Sequence, residues 1–359
     1  MPAEYCGIAI QEDKPEELFE LLESIGSGTF GSVFRARHRR TGETVAIKKI
    51  SLAGEDEIKM VATEVSIMRE SVHPNIVRYY GTYKSLSELW IVMEYCEGGS
   101  IDLVFKALRR PLPEKLIAYV CSCVLKGLQY LHAQNRIHRD IKGGNILITR
   151  DGRVKLADFG VSAELSHTLS RRNSFIGTVN WMAPEVIQEK EYDARADLWS
   201  LGITVIEIAE AAPPHSGKAP VIVMNIISRE EPPVLRHKDR WSPQMNMFLR
   251  RLLVKDHSVR PTAEMMLRDP FVQEEFIGTP AELEEVMLEV IAKLNLRRAG
   301  QLPEDSWSSY STATFRRIDS ATSGSDGRRG SGGRSEGDRG AHDRTQRPPR
   351  AERRDGDPG

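Results

Sequence analysis

The run His138-Arg139-Asp140-Ile141-Lys142-Gly143-Gly144-Asn145, followed after a short gap by Asp158-Phe159-Gly160, constrains this chain more than any other stretch in it. Asp140 offers a carboxylate that can orient a hydroxyl and take its proton, and Lys142 offers a cation for the oxygens of a transferring phosphoryl group. Asn145 and Asp158 are hard oxygen donors of the kind Mg²⁺ prefers. Together they meet the needs of phosphoryl transfer from ATP to a hydroxyl, where the protein's work is placement and charge stabilisation. Taken singly they say less. The first motif alone also reads as a buried charge cluster on a loop, and the second alone as a turn after a strand; their order and separation favour the phosphoryl-transfer reading.

Upstream, Ile25-Gly26-Ser27-Gly28-Thr29-Phe30-Gly31-Ser32-Val33 is a run whose glycines let backbone N–H groups approach phosphate oxygens. A dinucleotide-binding turn has the same glycines but opens a helix. Here Val33, Phe34 and a basic segment lead through Thr41-Gly42 into Thr44-Val45-Ala46-Ile47-Lys48, which reads as strand, turn, strand. No Gly-Lys-Ser/Thr closes the run, so a P-loop is excluded as well. Lys48 then sits on the second strand, where its cation can pair ATP phosphates.

A lysine among apolar strand neighbours needs an anionic partner. Between Glu57 and Arg69, Ile58, Val61, Val65 and Met68 recur at helical spacing, and Glu64 falls on their inward side. A carboxylate there is costly unless paired, which makes Lys48 its expected partner. The alternative is a half-exposed glutamate on an ordinary surface helix.

The ordered set GSGTFGSV, VAIK, Glu64, HRDIKGGN, DFG, GTVNWMAPE, DLWSLG and Arg260 resembles the eukaryotic protein kinase catalytic domain over residues 19–271, about three quarters of the chain. Within that family the wording WMAPEVI, LADFGVSAEL, LWIVMEYCEGGS and HRDIKGGNILI is similar to the sterile-twenty class, in particular its germinal-centre branch. The likeness extends to the mammalian sterile-twenty-like kinases and to the kinases that phosphorylate MAP kinase kinase kinases, without choosing between them.

The resemblance implies an α+β fold of two lobes, a small β-rich N-lobe and a large, mainly α-helical C-lobe. It implies ATP and Mg²⁺, with Asp140, Lys142, Lys48 and Glu64 in catalysis and Asn145 and Asp158 on the metal. Met93 would be the gatekeeper behind the adenine, Glu94 to Cys96 the hinge whose backbone recognises it, Leu147 the floor, and Ile25, Val33 and Ala46 the roof. Lys142 with Thr178 is similar to the arrangement of serine/threonine kinases. A phosphate on Ser174 would bridge to Arg139 and order the loop after Asp158, with phosphorylation in trans between self-associating copies as a route; an ordinary loop serine is the other reading. The implied role is signalling, upstream of a MAP kinase or similar cascade, on protein Ser/Thr acceptors. Val179 stands where the class usually has proline, which leaves substrate preference beside the acceptor open. Glu185 and Arg260 would form the ion pair of the lower lobe, and Asp197 would accept hydrogen bonds from the HRD backbone.

Composition fits this outline. Net charge is −1, so no global field favours nucleic acid or a membrane surface. Cys6, Cys96, Cys121 and Cys123 lack metal-ligand spacing and read as reduced thiols. Residues 196–209 are apolar nearly all round but short and interrupted by Glu207, which suits a buried helix rather than a membrane span. With no apolar leader evident, a cytoplasmic location is expected. Residues 1–18 read as an N-terminal extension. In 272–297, Thr279-Pro280-Ala281-Glu282 opens a capped helix whose Leu283, Val286, Met287, Val290, Ile291 and Leu294 share a face. That face packs back on the large lobe or serves a partner or autoregulatory role. Residues 298–359 turn to Gly, Ser, Arg and Asp and read as a disordered tail. Its Arg-Gly runs are interspersed with acids, against specific nucleic-acid binding. A pseudokinase would need Lys48, Asp140 or Asp158 missing, and all three are present.

Overall fold

The computed structural model describes residues 3–5, 7–28, 31–52, 55–158 and 179–298. The small lobe opens with a hairpin of β1 (Ala3–Tyr5) and β2 (Ile8–Ile10), then a single helical turn, α1 (Pro15–Leu18). Strands β3 (Phe19–Gly28), β4 (Gly31–His38) and β5 (Thr44–Ser51) lead to helix α2 (Glu55–Glu70) and strands β6 (Tyr79–Lys84) and β7 (Glu88–Glu94). They form an antiparallel sheet in the order β3-β4-β5-β7-β6. The central strands β5 and β7 carry continuous apolar runs rather than alternation, as suits strands covered on both faces, and Val45, Ala46, Ile47 and Leu89 to Val92 are buried. Toward the β3 side the sheet is wet, and exposed ion pairs cross from β4 to β3, Arg35 with Glu23 at 2.7 Å and Arg37 with Glu20 at 2.6 Å.

The large lobe follows with β8 (Gly99–Ser100), α3 (Ile101–Leu108), α4 (Glu114–His132), β9 (Ile146–Ile148) and β10 (Val154–Leu156). Helices α5 (Pro184–Ile187), α6 (Ala196–Glu210), α7 (Pro220–Arg229), α8 (Pro243–Leu252), α9 (Ala263–Met266) and α10 (Pro280–Arg298) complete it. The fold is therefore the bilobal α+β arrangement that the resemblance implies. Helix α6 is buried from Ala196 through Ala209, which accounts for its lack of a polar face. Arg260, fully enclosed, donates to both carboxylate oxygens of Glu185 at 2.6 and 3.0 Å and to the carbonyls of Val254 and Arg195, so each nitrogen of this buried cation is hydrogen-bonded.

Helix starts obey local chemistry. Ser242 caps α8 by accepting from the Met245 N–H at 3.1 Å, with Pro243 in the first turn. At α10, Glu282 accepts from the Thr279 N–H at 2.8 Å and Thr279 Oγ1 accepts from the Glu282 N–H at 3.2 Å, a reciprocal capping box. Leu283, Met287 and Val290 of α10 are buried in the large-lobe core, with Val286 and Leu294 packed alongside. Close approach requires a glycine under this helix: Gly152 has φ +73°, and a Cβ there would lie 1.9 Å from the Pro280 carbonyl oxygen. The expected tail, the Phe159-Gly160 pair, Ser174, Thr178, Thr29 and Phe30 lie outside the described residues.

Candidate active site

Strand β5 delivers Lys48 from the small lobe, opposite Val33 on β4 and Ile91 on β7. Its ammonium lies 2.7 Å from Glu64 Oε1 on α2 and 3.4 Å from Asp158 Oδ1 in the large lobe. Lys48 and Glu64 are 7% and 3% exposed, so the carboxylate on the inner face of α2 is paired, as its position demanded. Burial opposes the Lys48 charge, but Glu64 and Asp158 outweigh it and hold this ammonium above the usual lysine value. Burial likewise pushes Asp158 up, and Lys48 and Lys142 more than offset it, so that carboxyl stays below its ordinary value and ionised.

The HRD segment is hung from α6. Asp197, at the start of that helix, accepts the backbone N–H groups of His138 at 2.9 Å and Arg139 at 2.8 Å, and also meets His132 Nε2 at 2.8 Å. Arg139 adopts φ +68° and Asp158 φ +64°, left-handed conformations that cost energy for residues with a side chain and persist here because the surrounding contacts fix them. Lys142 Nζ donates to Asp140 Oδ2 at 2.7 Å, and Asn145 Nδ2 donates to the same oxygen at 2.7 Å and to the Asp140 carbonyl at 2.8 Å. Asp140 Oδ1 is buried and meets no hydrogen-bond donor among the described residues. A short 3₁₀ turn over Gly143–Asn145 follows, and the Ala157 N–H donates to the Asn145 carbonyl at 2.9 Å, which ties Asp158 to the same loop.

The described glycines of the run lie on paired antiparallel strands, with Gly26 opposite Val33, Ser27 opposite Ser32 and Gly28 opposite Gly31, and the run leads into strand β4 rather than a helix. A Cβ at Gly31 would lie 1.8 Å from the Lys49 carbonyl oxygen, so a side chain there would push the hairpin off β5. Ala46 pairs with Met93 across the sheet, Ile25 is exposed, and Leu147 sits half-buried on β9 between Ser100 and Lys155.

Two members of this neighbourhood had no assigned partner in the sequence. Lys155 Nζ, on the apolar strand β10, meets Glu94 Oε2 at 2.8 Å, so the Glu94 carboxylate ties the end of β7 to the large lobe. The signal was there, a lysine between Val154 and Leu156, by the same reasoning that paired Lys48. Glu207, the lone acid within the apolar part of α6, accepts the Gly143 N–H at 3.0 Å and the Trp181 Nε1–H at 3.1 Å through one oxygen, Oε2. Its sequence signal was its solitude among apolar residues.

A cation and two carboxylates gathered from the two lobes, together with a half-buried carboxylate held by a lysine and an amide, are the residue types that phosphoryl transfer needs. Residues 19–272 match the protein kinase domain, and the chain belongs to that family. It is 51% identical over 267 residues to the serine/threonine-protein kinase dst1 of Dictyostelium discoideum, an alignment covering 74% of this chain and 36% of that protein. It is 47% identical over 266 residues to serine/threonine-protein kinase 1 of Arabidopsis thaliana, covering 74% and 32%. The chain thus aligns with about a third of the length of these relatives.

Proposed function

We propose that the protein is a serine/threonine protein kinase that transfers the γ-phosphate of ATP to Ser and Thr hydroxyls of protein substrates. The observation that carries this reading is Asp140: Lys142 and Asn145 fix one carboxylate oxygen, while the other is a buried acceptor that meets no donor among the described residues, suited to a substrate hydroxyl. Lys48, held by Glu64, serves the ATP phosphates. Adenine lies between Ile25, Val33 and Ala46 above and Leu147 below, against the backbone of Glu94 to Cys96, with Met93 behind. The glycine run from Gly26 to Ser32 covers the phosphates.

The donor set fits Mg²⁺. Asn145 commits its amide nitrogen to Asp140, which leaves a carbonyl oxygen, and Asp158 is ionised with only one oxygen facing Lys48. When bound, the ion neutralises charge on the phosphate oxygens. The protein's own part is to place the hydroxyl and receive its proton at Asp140.

The wording of the motifs supports membership of the germinal-centre branch of the sterile-twenty class, and with it a role in cytoplasmic signalling upstream of a MAP kinase or similar cascade. Phosphorylation of Ser174, bridged to Arg139, is the activating event, and self-association supplies it in trans. Among the described residues no helix is long and apolar enough to cross a membrane.

The deciding experiment follows labelled phosphate from ATP to a generic basic protein, with the parent compared with Asp140→Asn. Transfer by the parent and loss of about a thousandfold in the variant supports the reading. Equal transfer by both, or none by the parent after Ser174 is phosphorylated, overturns it.

A further inference from the structure

The family match begins at residue 19, yet the chain before it supplies part of the small-lobe core. β1 and β2 pair with Tyr5 opposite Ile8 and Ala3 opposite Ile10. Ile8 and Ile10 are 1% and 5% exposed and join one apolar cluster with Val61, Val65 and Met68 of α2 and Leu89 and Ile91 of β7. Tyr5 packs on the rim of that cluster under Lys84, whose Nζ lies 4.0 Å from the ring centre.

The segment is also hydrogen-bonded in place. β6 is the outer strand of the sheet on this side, and the Gln11 N–H donates to the Thr82 carbonyl at 2.9 Å, with Gln11 bridging Tyr83 in parallel. The Gln11 side chain lies so close over Gly81 that a Cβ there would meet its Nε2 at 2.5 Å.

We propose that β1, β2 and Gln11 make a built-in clamp on α2, and that Ile8 and Ile10 are positioning residues which hold Glu64 against Lys48. The geometry is that of one helix face. Val61, Val65 and Met68 stand at positions i, i+4 and i+7, so the side chains that pack on them fix the rotation of α2 about its axis. Glu64 lies on the same inward side, three residues after Val61, and its carboxylate reaches Lys48 only at that rotation. A helix that leaned on the sheet alone would lose the apolar contacts made by Ile8 and Ile10 and gain freedom to turn. The effect on phosphate transfer rests on the kinase reading, but the hold on α2 does not.

The test compares full-length parent with the Ile8→Ser, Ile10→Ser double variant, each with Glu64 intact and with Glu64→Gln. Clamping predicts that kcat falls about tenfold or more where Glu64 is intact and by less than about twofold where Glu64 is already replaced, because the two changes act through one interaction. Ile8→Val with Ile10→Val keeps kcat within about twofold of the parent. Amide exchange over residues 61–70 rises in the serine variant while α6 stays protected. Equal losses in both Glu64 backgrounds, an unchanged kcat, or unchanged exchange in α2 overturns the proposal. A parent without phosphotransfer defeats the kinase reading instead, and exchange in α2 then decides the clamp by itself.

Discussion

The carboxylate of Glu207 accepts the backbone N–H of Gly143 at 3.0 Å, so a side chain from the most buried helix of the large lobe holds the loop between Asp140 and Asn145. Burial pushes this carboxyl up to about 7; the Gly143 N–H pulls it back, the nearby Asp102 adds to the rise, and Trp181 and Lys106 oppose it. Since the folded value lies above the ordinary 4.5, the folded state binds the proton more tightly than the unfolded chain. Stability from this source is complete below pH 4.5 and is lost as pH rises through 7, in all on the order of 3 kcal/mol. Urea denaturation at pH 5 and pH 8 should show the parent losing that stability and Glu207→Gln retaining it, since the amide oxygen still accepts from Gly143 and Trp181. Parallel losses in the two proteins would disprove the assignment.

Lys48 and Glu64 make a second, separable prediction. Lys48→Met strands a buried carboxylate and should cost about 3–5 kcal/mol in chemical denaturation, whereas Lys48→Met combined with Glu64→Leu should recover most of it. Phosphate transfer should be lost in both. Recovery of activity along with stability would show that the pair is only structural.

Gly152→Ala tests the seat of α10. The new methyl would collide with the Pro280 carbonyl in a left-handed backbone conformation, so a loss of more than about 1 kcal/mol is expected. Protease sensitivity between Phe276 and Leu283 should rise with it. A variant as stable and as resistant as the parent would mean that α10 is not held by this contact.

Cys96 should be chemically quiet. Burial pushes its thiol up to about 12, and it also drives Cys121 and Cys123 upward. Iodoacetamide at pH 8 should leave all three unmodified in the native protein and label them in denaturant, read peptide by peptide by mass spectrometry. Native labelling of Cys96 at the rate of an exposed thiol would contradict this.

How far the chain announced its structure depended on sequence distance. Asp140, Lys142 and Asn145 were legible because their chemistry sits within one short run, and the Lys48–Glu64 pair because each was a charge in an apolar pattern that lacked only a partner. The same logic applied to Lys155 and Glu94, but with one partner at the end of β7 and the other on a short strand nothing in the local pattern joined them. Ile8 and Ile10 were hidden for a different reason. A strand as short as Ile8–Ile10 carries too little alternation to be told from a loop, and its value comes from the helix it meets. The left-handed backbone at Arg139 and Asp158 was not readable at all, since neither residue type requires it and only tertiary contacts impose it.

The docking of α10 bears on how this protein can be handled. Family likeness ends at residue 272, but the oily stripe of Leu283, Met287 and Val290 completes the lobe beyond it. A version trimmed to the recognisable boundary would bare the matching furrow to solvent, and such a fragment would clump or fail to express where one carried on through Arg298 remains monodisperse.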